Sequence, residues 1–160
     1  MKYISVMILG LVFLSCKKTE TKTVYQVQEV FVDQPGADKP NVKKSTEYIS
    51  IAYSDLFQQS IPTELLDELT ASYVAFADVT IIEDLIVKSF LNDADAVVPT
   101  DAEMRADIPG FVKTCYNQFY GREATGQEAW FLQQLIEDNT GLTTDVIYYS
   151  FLTSNEYRQF

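Results

Sequence analysis

The sequence predicts an all-α protein: two tandem three-helix repeats packed as one small helical domain behind a flexible N-terminal tether. Three observations carry this. From residue 46 onward, apolar residues recur at intervals of three and four, the period of a helix face. Helix-start signals with Thr followed three residues later by Glu recur along the same stretch. Blocks of the first half also return in the second. The chain of 160 residues, 47% hydrophobic with ten Phe, ten Tyr and Trp130, suits one globular domain and is too rich in core material for a wholly disordered chain.

Tyr48, Ile49, Ala52, Tyr53, Leu56 and Phe57 predict a first helix over about residues 46–59. Pro62 suits the first turn of a second helix through Leu65, Leu66, Leu69 and Tyr73. Thr80 and Glu83 have capping-box spacing for a third through Leu85, Ile86, Phe90 and Leu91, and Thr100 with Glu103 starts a short connector. A fourth helix follows Asp107-Ile108-Pro109, with Phe111, Val112, Cys115, Tyr116, Phe119 and Tyr120 on its apolar side and Gly121 as its stop. Thr125 and Glu128 cap the fifth, whose apolar stripe is expected at Trp130, Phe131, Leu135 and Ile136 and which closes at Asn139-Thr140-Gly141. The sixth runs from about Thr144 through Val146, Ile147, Phe151 and Leu152, and Ser154 caps a final turn ending at Phe160.

The repeat shows directly in the letters. Residues 84–91 align with 145–152 at an offset of 61, and 53–57 with 116–120 at an offset of 63, giving halves at 46–93 and 109–160. Two copies of a three-helix unit are expected to share one core.

Before the domain the composition changes twice. Lys2 gives a positive start and residues 3–14 form an apolar run broken only by Ser5 and Gly10, too short to span a bilayer, which takes roughly 20 residues. The run ends in Phe13-Leu14-Ser15-Cys16, which resembles the lipobox of bacterial lipoproteins. The resemblance implies a signal peptide over residues 1–15, cleavage before Cys16 and acylation of its thiol, so that the protein is held at a membrane by a covalent lipid. Lipoproteins retained at the inner membrane carry Asp after the cysteine; here Lys17 follows, which implies the outer membrane, facing the periplasm or the exterior. With Cys16 acylated, Cys115 has no intramolecular disulfide partner. It lies between Phe111 and Phe119 at helical spacing and is expected to be an inert core thiol.

Residues 16–45 read as the tether: Lys, Thr, Gln, Asp, Pro and Gly dominate, with breakers at Gln34-Pro35-Gly36 and Lys39-Pro40-Asn41. A coil of that length spans ~30 Å on average and at most about 100 Å, enough to lift a domain clear of the headgroups. Within it, residues 24–32 place Val24, Val27, Val30 and Val32 among polar residues and read as extended linker. The tether carries six lysines against four acids, whereas residues 46–160 carry five cations against nineteen carboxylates. Headgroups of an anionic membrane would attract the first and repel the second. Nucleic acid is not an expected partner, because the Lys and Arg clusters that neutralise phosphates are absent.

Catalytic constellations are poor. The chain has no His, which excludes Ser-His-Asp and Cys-His catalysis and His-ligated metals, and no phosphate-binding loop or dinucleotide fingerprint occurs. Adjacent acids such as Asp67 with Glu68, Glu83 with Asp84, and Glu137 with Asp138 diverge in direction on a helix. Asp93, Asp95, Asp101, Glu103 and Asp107 form an acidic connector that lacks the Gly and spacing of a calcium loop and reads as a solvated linker. No catalytic residue, metal or cofactor is therefore assigned beyond the lipid on Cys16. A carboxylate- or calcium-dependent envelope enzyme or accessory subunit is the alternative.

The second half carries a recognisable pattern in Phe111-Val112, Tyr116, Gly121-Arg122-Glu123, Trp130, Leu135, Phe151-Leu152 and Ser154-Asn155-Glu156-Tyr157-Arg158. It resembles the phycobilisome-linker-like domain, which includes a widespread bacterial branch of unknown function. The resemblance covers residues 109–160, and its sharpest parts, Gly121, Arg122, Ser154, Glu156 and Tyr157, have no counterpart in the first half. It implies an α-helical module used for assembly between proteins, here a non-catalytic one docking a partner in the cell envelope. Arg122, just past a helix end in an acidic domain, is expected to fix the turn between helices through a salt bridge or a carbonyl cap.

Overall fold

The computed structural model describes residues 41–76 and 78–159. The expected signal peptide, Cys16, the segment 24–32 and all but the end of the tether lie outside the described residues, as do Ala77 and Phe160. The described chain is all-α: α1 (Ser45–Phe57), α2 (Thr63–Ala75), α3 (Val79–Leu91), a short α4 (Asp101–Ala106), α5 (Ile108–Cys115) continued by a π-helical turn (Tyr116–Tyr120), α6 (Gly126–Asp138) and α7 (Thr144–Leu152). The helices α1, α2 and α3 pack on one another, α5 packs on α6, and α3 packs on α7.

The two halves match at their core positions. At the offset of 63, buried Tyr48, Ile49, Ala52, Tyr53 and Leu56 of α1 correspond to buried Phe111, Val112, Cys115, Tyr116 and Phe119. The only positive-φ residues described, Gln58 (φ 53°) and Gly121 (φ 66°), end the two equivalent helices. Both then run into a helix of 13 residues, α2 and α6, each with one buried position, Tyr73 and Ile136. At the offset of 61, buried Ile86, Val87 and Phe90 correspond to Ile147, Tyr148 and Phe151. The aromatic triad Tyr53, Phe57 and Phe90, with centroids 4.3–5.6 Å apart, thus recurs as Tyr116, Tyr120 and Phe151, at 4.9–5.5 Å. Same-face spacing of rings in the sequence produces the same cluster twice.

Capping chemistry sets most boundaries. Thr100 with Glu103 and Thr125 with Glu128 form two of the three expected capping boxes. The box expected at Thr80 does not form. Asp78 caps α3 instead, accepting from the amides of Thr80 and Ile81 at 3.0 and 3.3 Å, and Glu83 turns into the interior. A free carboxylate at the helix start satisfied the orphan amides first.

The last residues assigned to the tether are held rather than loose. Val42 bridges Gln159, the Lys43 amide donates to the Arg158 carbonyl at 2.8 Å, and the Lys43 ammonium lies 4.3 Å from the Tyr157 ring centroid while donating to that residue's carbonyl. The packed domain therefore includes Val42 and Lys43, ahead of the helical periodicity.

Candidate functional site

The motif residues of the second half converge. Gly121 ends the π turn in the left-handed conformation, where nothing lies within 4 Å of the point a β-carbon would occupy, so its backbone angle, and not crowding, is what favours glycine. That turn aims Arg122 into a cluster. Its guanidinium donates twice to Glu128 at 2.8 and 2.9 Å and twice to Glu156 at 2.6 and 2.9 Å, with a further bond to the Glu123 carbonyl at 3.1 Å. Beneath it lie the rings of Tyr116 and Tyr120, 5.2 and 5.6 Å away. The Arg122 hydrogen bonds hold the Glu128 carboxyl well below its ordinary range, at about 2. The same two carboxylates raise the Arg122 pKa further.

Ser154 and Tyr157 complete the cluster. The Ser154 hydroxyl accepts from Tyr120 at 2.9 Å and from the Tyr157 amide at 3.1 Å, capping the final turn as the sequence predicts. Tyr157 is buried, edges onto Tyr48 at 5.8 Å and donates to Asp55 at 2.7 Å. Burial, then the Asp55 charge, push its phenol pKa up. Arg158 pairs with the buried Glu83, whose own pKa is raised by burial and pulled back by Arg158. Gly121, Arg122, Ser154 and Glu156 therefore tie the helices of the second half together, and Tyr157 joins that half to the first through Tyr48 and Asp55. Cys115 is fully buried, its thiol pushed up to about 12 by burial, in keeping with an inert core position.

The acidic connector does not converge. Asp93 accepts from the Asp95 amide, Asp101 from the amide and hydroxyl of Thr144, Glu103 from Thr100 and Asp107 from the Gly110 amide. Among the described residues, no group of three or more carboxylates or thiols is placed to hold a metal ion. Glu83 and Asp84 diverge as expected: the first points inward to Arg158, the second outward to Lys88 and Tyr149.

The expected stripe of α6 is overturned. Of Trp130, Phe131, Leu135 and Ile136, only Ile136 is buried; Trp130 and Phe131 are 62% and 61% exposed and Leu135 is 38% exposed. Ala129, Leu132 and Ile136 face the core instead. On a helix at 3.6 residues per turn, apolar residues at 129–132 and again at 135–136 go all the way round, so one face alone cannot bury them. That excess was the readable signal. Leu85, expected in the core face of α3, is also exposed, as is Val146 of α7. Between α6 and α7 lies an apolar cleft of about 250 Å³, with Phe131, Leu135 and Val146 on its walls and Tyr116, Tyr120 and Phe151 beneath.

The sequence pattern also gave no sign of Arg105, whose guanidinium donates to the carbonyls of Ile136, Asn139, Thr140 and Leu142 at 2.9–3.0 Å and so stitches the α6–α7 turn. No local spacing links residue 105 to that turn. Compared with known proteins, the chain matches no family model, and no curated protein or solved structure matches it significantly.

Proposed function

We propose that this protein is a non-catalytic lipoprotein of the bacterial envelope, anchored through a lipid on Cys16, whose acidic helical domain docks another envelope protein. The observation that carries the docking is the apolar surface of α6 and α7. Trp130, Phe131, Leu135 and Val146 stand exposed on a domain that has an aromatic core available to bury them. Aromatic and aliphatic side chains grouped on an otherwise acidic surface are the composition of a protein interface. The resemblance of residues 109–160 to the phycobilisome-linker-like domain supports the same use, as an assembly module without pigment. The anchor rests on the lipobox resemblance of residues 13–16 and the lysine at position 17. Among the described residues, no helix is long and apolar enough to cross a membrane.

Crosslinking in intact cells followed by purification of the acylated protein tests the docking. The same defined envelope protein should be recovered repeatedly, and recovery of the domain alone each time would end the proposal. Cys16→Ala should release the protein from the membrane fraction, and retention would remove the anchor.

A further inference from the structure

The cleft between α6 and α7 has features that select an occupant. Its volume of about 250 Å³ is below the ~300 Å³ at which pockets for whole small molecules begin, a size suited to side chains projecting from a larger partner. Its walls are two helices, and an apolar trough between helices receives the side-chain stripe of a third. Strand addition has no sheet to extend among the described residues.

Charge narrows the choice further. From residue 123 to residue 153 the chain carries Glu123, Glu128, Glu137, Asp138 and Asp145 and not one Lys or Arg. The cations that reach this region from outside it are engaged: Arg122 with Glu128 and Glu156, Arg105 with four carbonyls, Lys113 with Glu123, and Lys88 with Asp84 beside the Tyr149 ring. A complementary surface is therefore cationic around an apolar stripe. A second copy of this acidic domain and an anionic lipid surface both present the wrong sign.

The repeat supplies an internal contrast. At the positions equivalent to Phe131 and Leu135, α2 carries Glu68 and Ser72, so the first half lacks the apolar wall.

We propose that the α6/α7 cleft is the docking groove for an amphipathic helix of a partner protein, its apolar stripe flanked by Lys and Arg. This rests on the interaction-module reading and adds the surface and the partner's chemistry.

The test uses the full chain carrying Cys16→Ser and a dye-labelled amphipathic Leu/Lys peptide of about four helical turns, with affinity read by fluorescence anisotropy. The peptide should bind, and Phe131→Ser combined with Val146→Ser should weaken it about tenfold or more, as expected for anchor residues. Leu85→Ser, at the position equivalent to Val146 in the first half, should leave affinity within about twofold, the range of a non-contact surface change. A Leu/Lys peptide of scrambled order, unable to form a stripe, should bind about tenfold more weakly, and a Leu/Glu peptide of the original order should not bind. Circular dichroism melting confirms that each variant is folded.

No binding, equal binding of the scrambled peptide, or equal weakening by Leu85→Ser would overturn the groove. A dimer in sedimentation that Phe131→Ser returns to monomer would also overturn it, by giving the cleft to a second copy. The two proposals fail separately. A cellular crosslink that survives Phe131→Ser with Val146→Ser removes the groove and keeps the module, whereas loss of every crosslink in the unaltered protein removes the module.

Discussion

Arg122 shows how one side chain in an acidic domain holds a joint closed. Its planar guanidinium spans two carboxylates at once, Glu128 at the start of α6 and Glu156 beyond α7, at 2.6–2.9 Å, with the Arg122 side chain only 17% exposed. Arg122→Ala leaves two partly buried carboxylates facing each other and should cost about 2 kcal/mol in denaturant unfolding. Arg122→Lys should recover little of it, because an ammonium cannot make two bidentate pairs. Equal stability of the lysine variant and the unaltered protein would show that charge alone suffices. The acid limb offers a second check. The Glu128 pKa is depressed to about 2 from 4.5 in the fold, so its contribution is complete above the unfolded value and lost as pH falls from about 4.5 to 2. Glu83 and Asp55, raised by burial, act in the opposite sense and are indifferent to this substitution. Glu128→Gln should therefore be less stable than the unaltered protein at neutral pH, with the difference closing across that acid window. A difference constant with pH would refute the pairing.

At the scale of the element, the most instructive comparison is between the ends of α1 and the π turn. Both stop in a left-handed residue, but one is Gly121 and the other Gln58, a side chain that pays a conformational penalty there. Gln58→Gly should raise stability by about 0.5–1 kcal/mol and Gly121→Ala should lower it by about 1 kcal/mol, both read as shifts in melting temperature. Identical responses of both sites to glycine and alanine would contradict the shared cap. The Gly121 stop and the Thr100 and Thr125 boxes were legible because caps are local chemistry written within four residues. The π turn, which shifts Tyr116–Tyr120 by one residue relative to an α-helix, carried no such mark. The faces of α1 and α5 were legible because each holds one apolar stripe, and that of α7 was legible except at Val146, which is exposed. That of α6 was not, since Trp130, Phe131 and Leu135 looked like a stripe yet lie on the far side from Ala129, Leu132 and Ile136. Periodicity finds a face, and only the packing partners decide which of two apolar faces is inside. The motif residues were named from resemblance, but their convergence on Glu128, Asp55 and Glu83 depended on contacts across as many as 102 residues of sequence, which no spacing reveals.

Over the whole molecule, the two three-helix units are similar in register yet share their stabilising contacts. Tyr48 of α1 donates to the Leu152 carbonyl at 3.0 Å, the Gln118 amide reaches the Asp55 carbonyl at 2.7 Å, and the Leu56 carbonyl accepts from Val97 of the connector at 2.7 Å. Around Tyr157 the coupling is closest: its ring packs against both Tyr48 and Phe119, its hydroxyl is held by Asp55, and the neighbouring Arg158 pairs with Glu83. Neither unit can satisfy these buried groups alone, and a chain of about 60 residues buries only ~60% of its surface even when well packed. The full domain should therefore unfold in one cooperative step, with fluorescence and circular dichroism midpoints coinciding. Residues 99–160 expressed alone should show no cooperative melting, and the same should hold for residues 41–98. Mixing the two fragments should restore helical signal in a concentration-dependent way, because the missing partner surfaces are then supplied in trans. A fragment that melts cooperatively by itself would mean that each repeat has its own core, and the contacts of Tyr157 and Arg158 with Tyr48, Asp55 and Glu83 would then be an interface between two small domains rather than the centre of one.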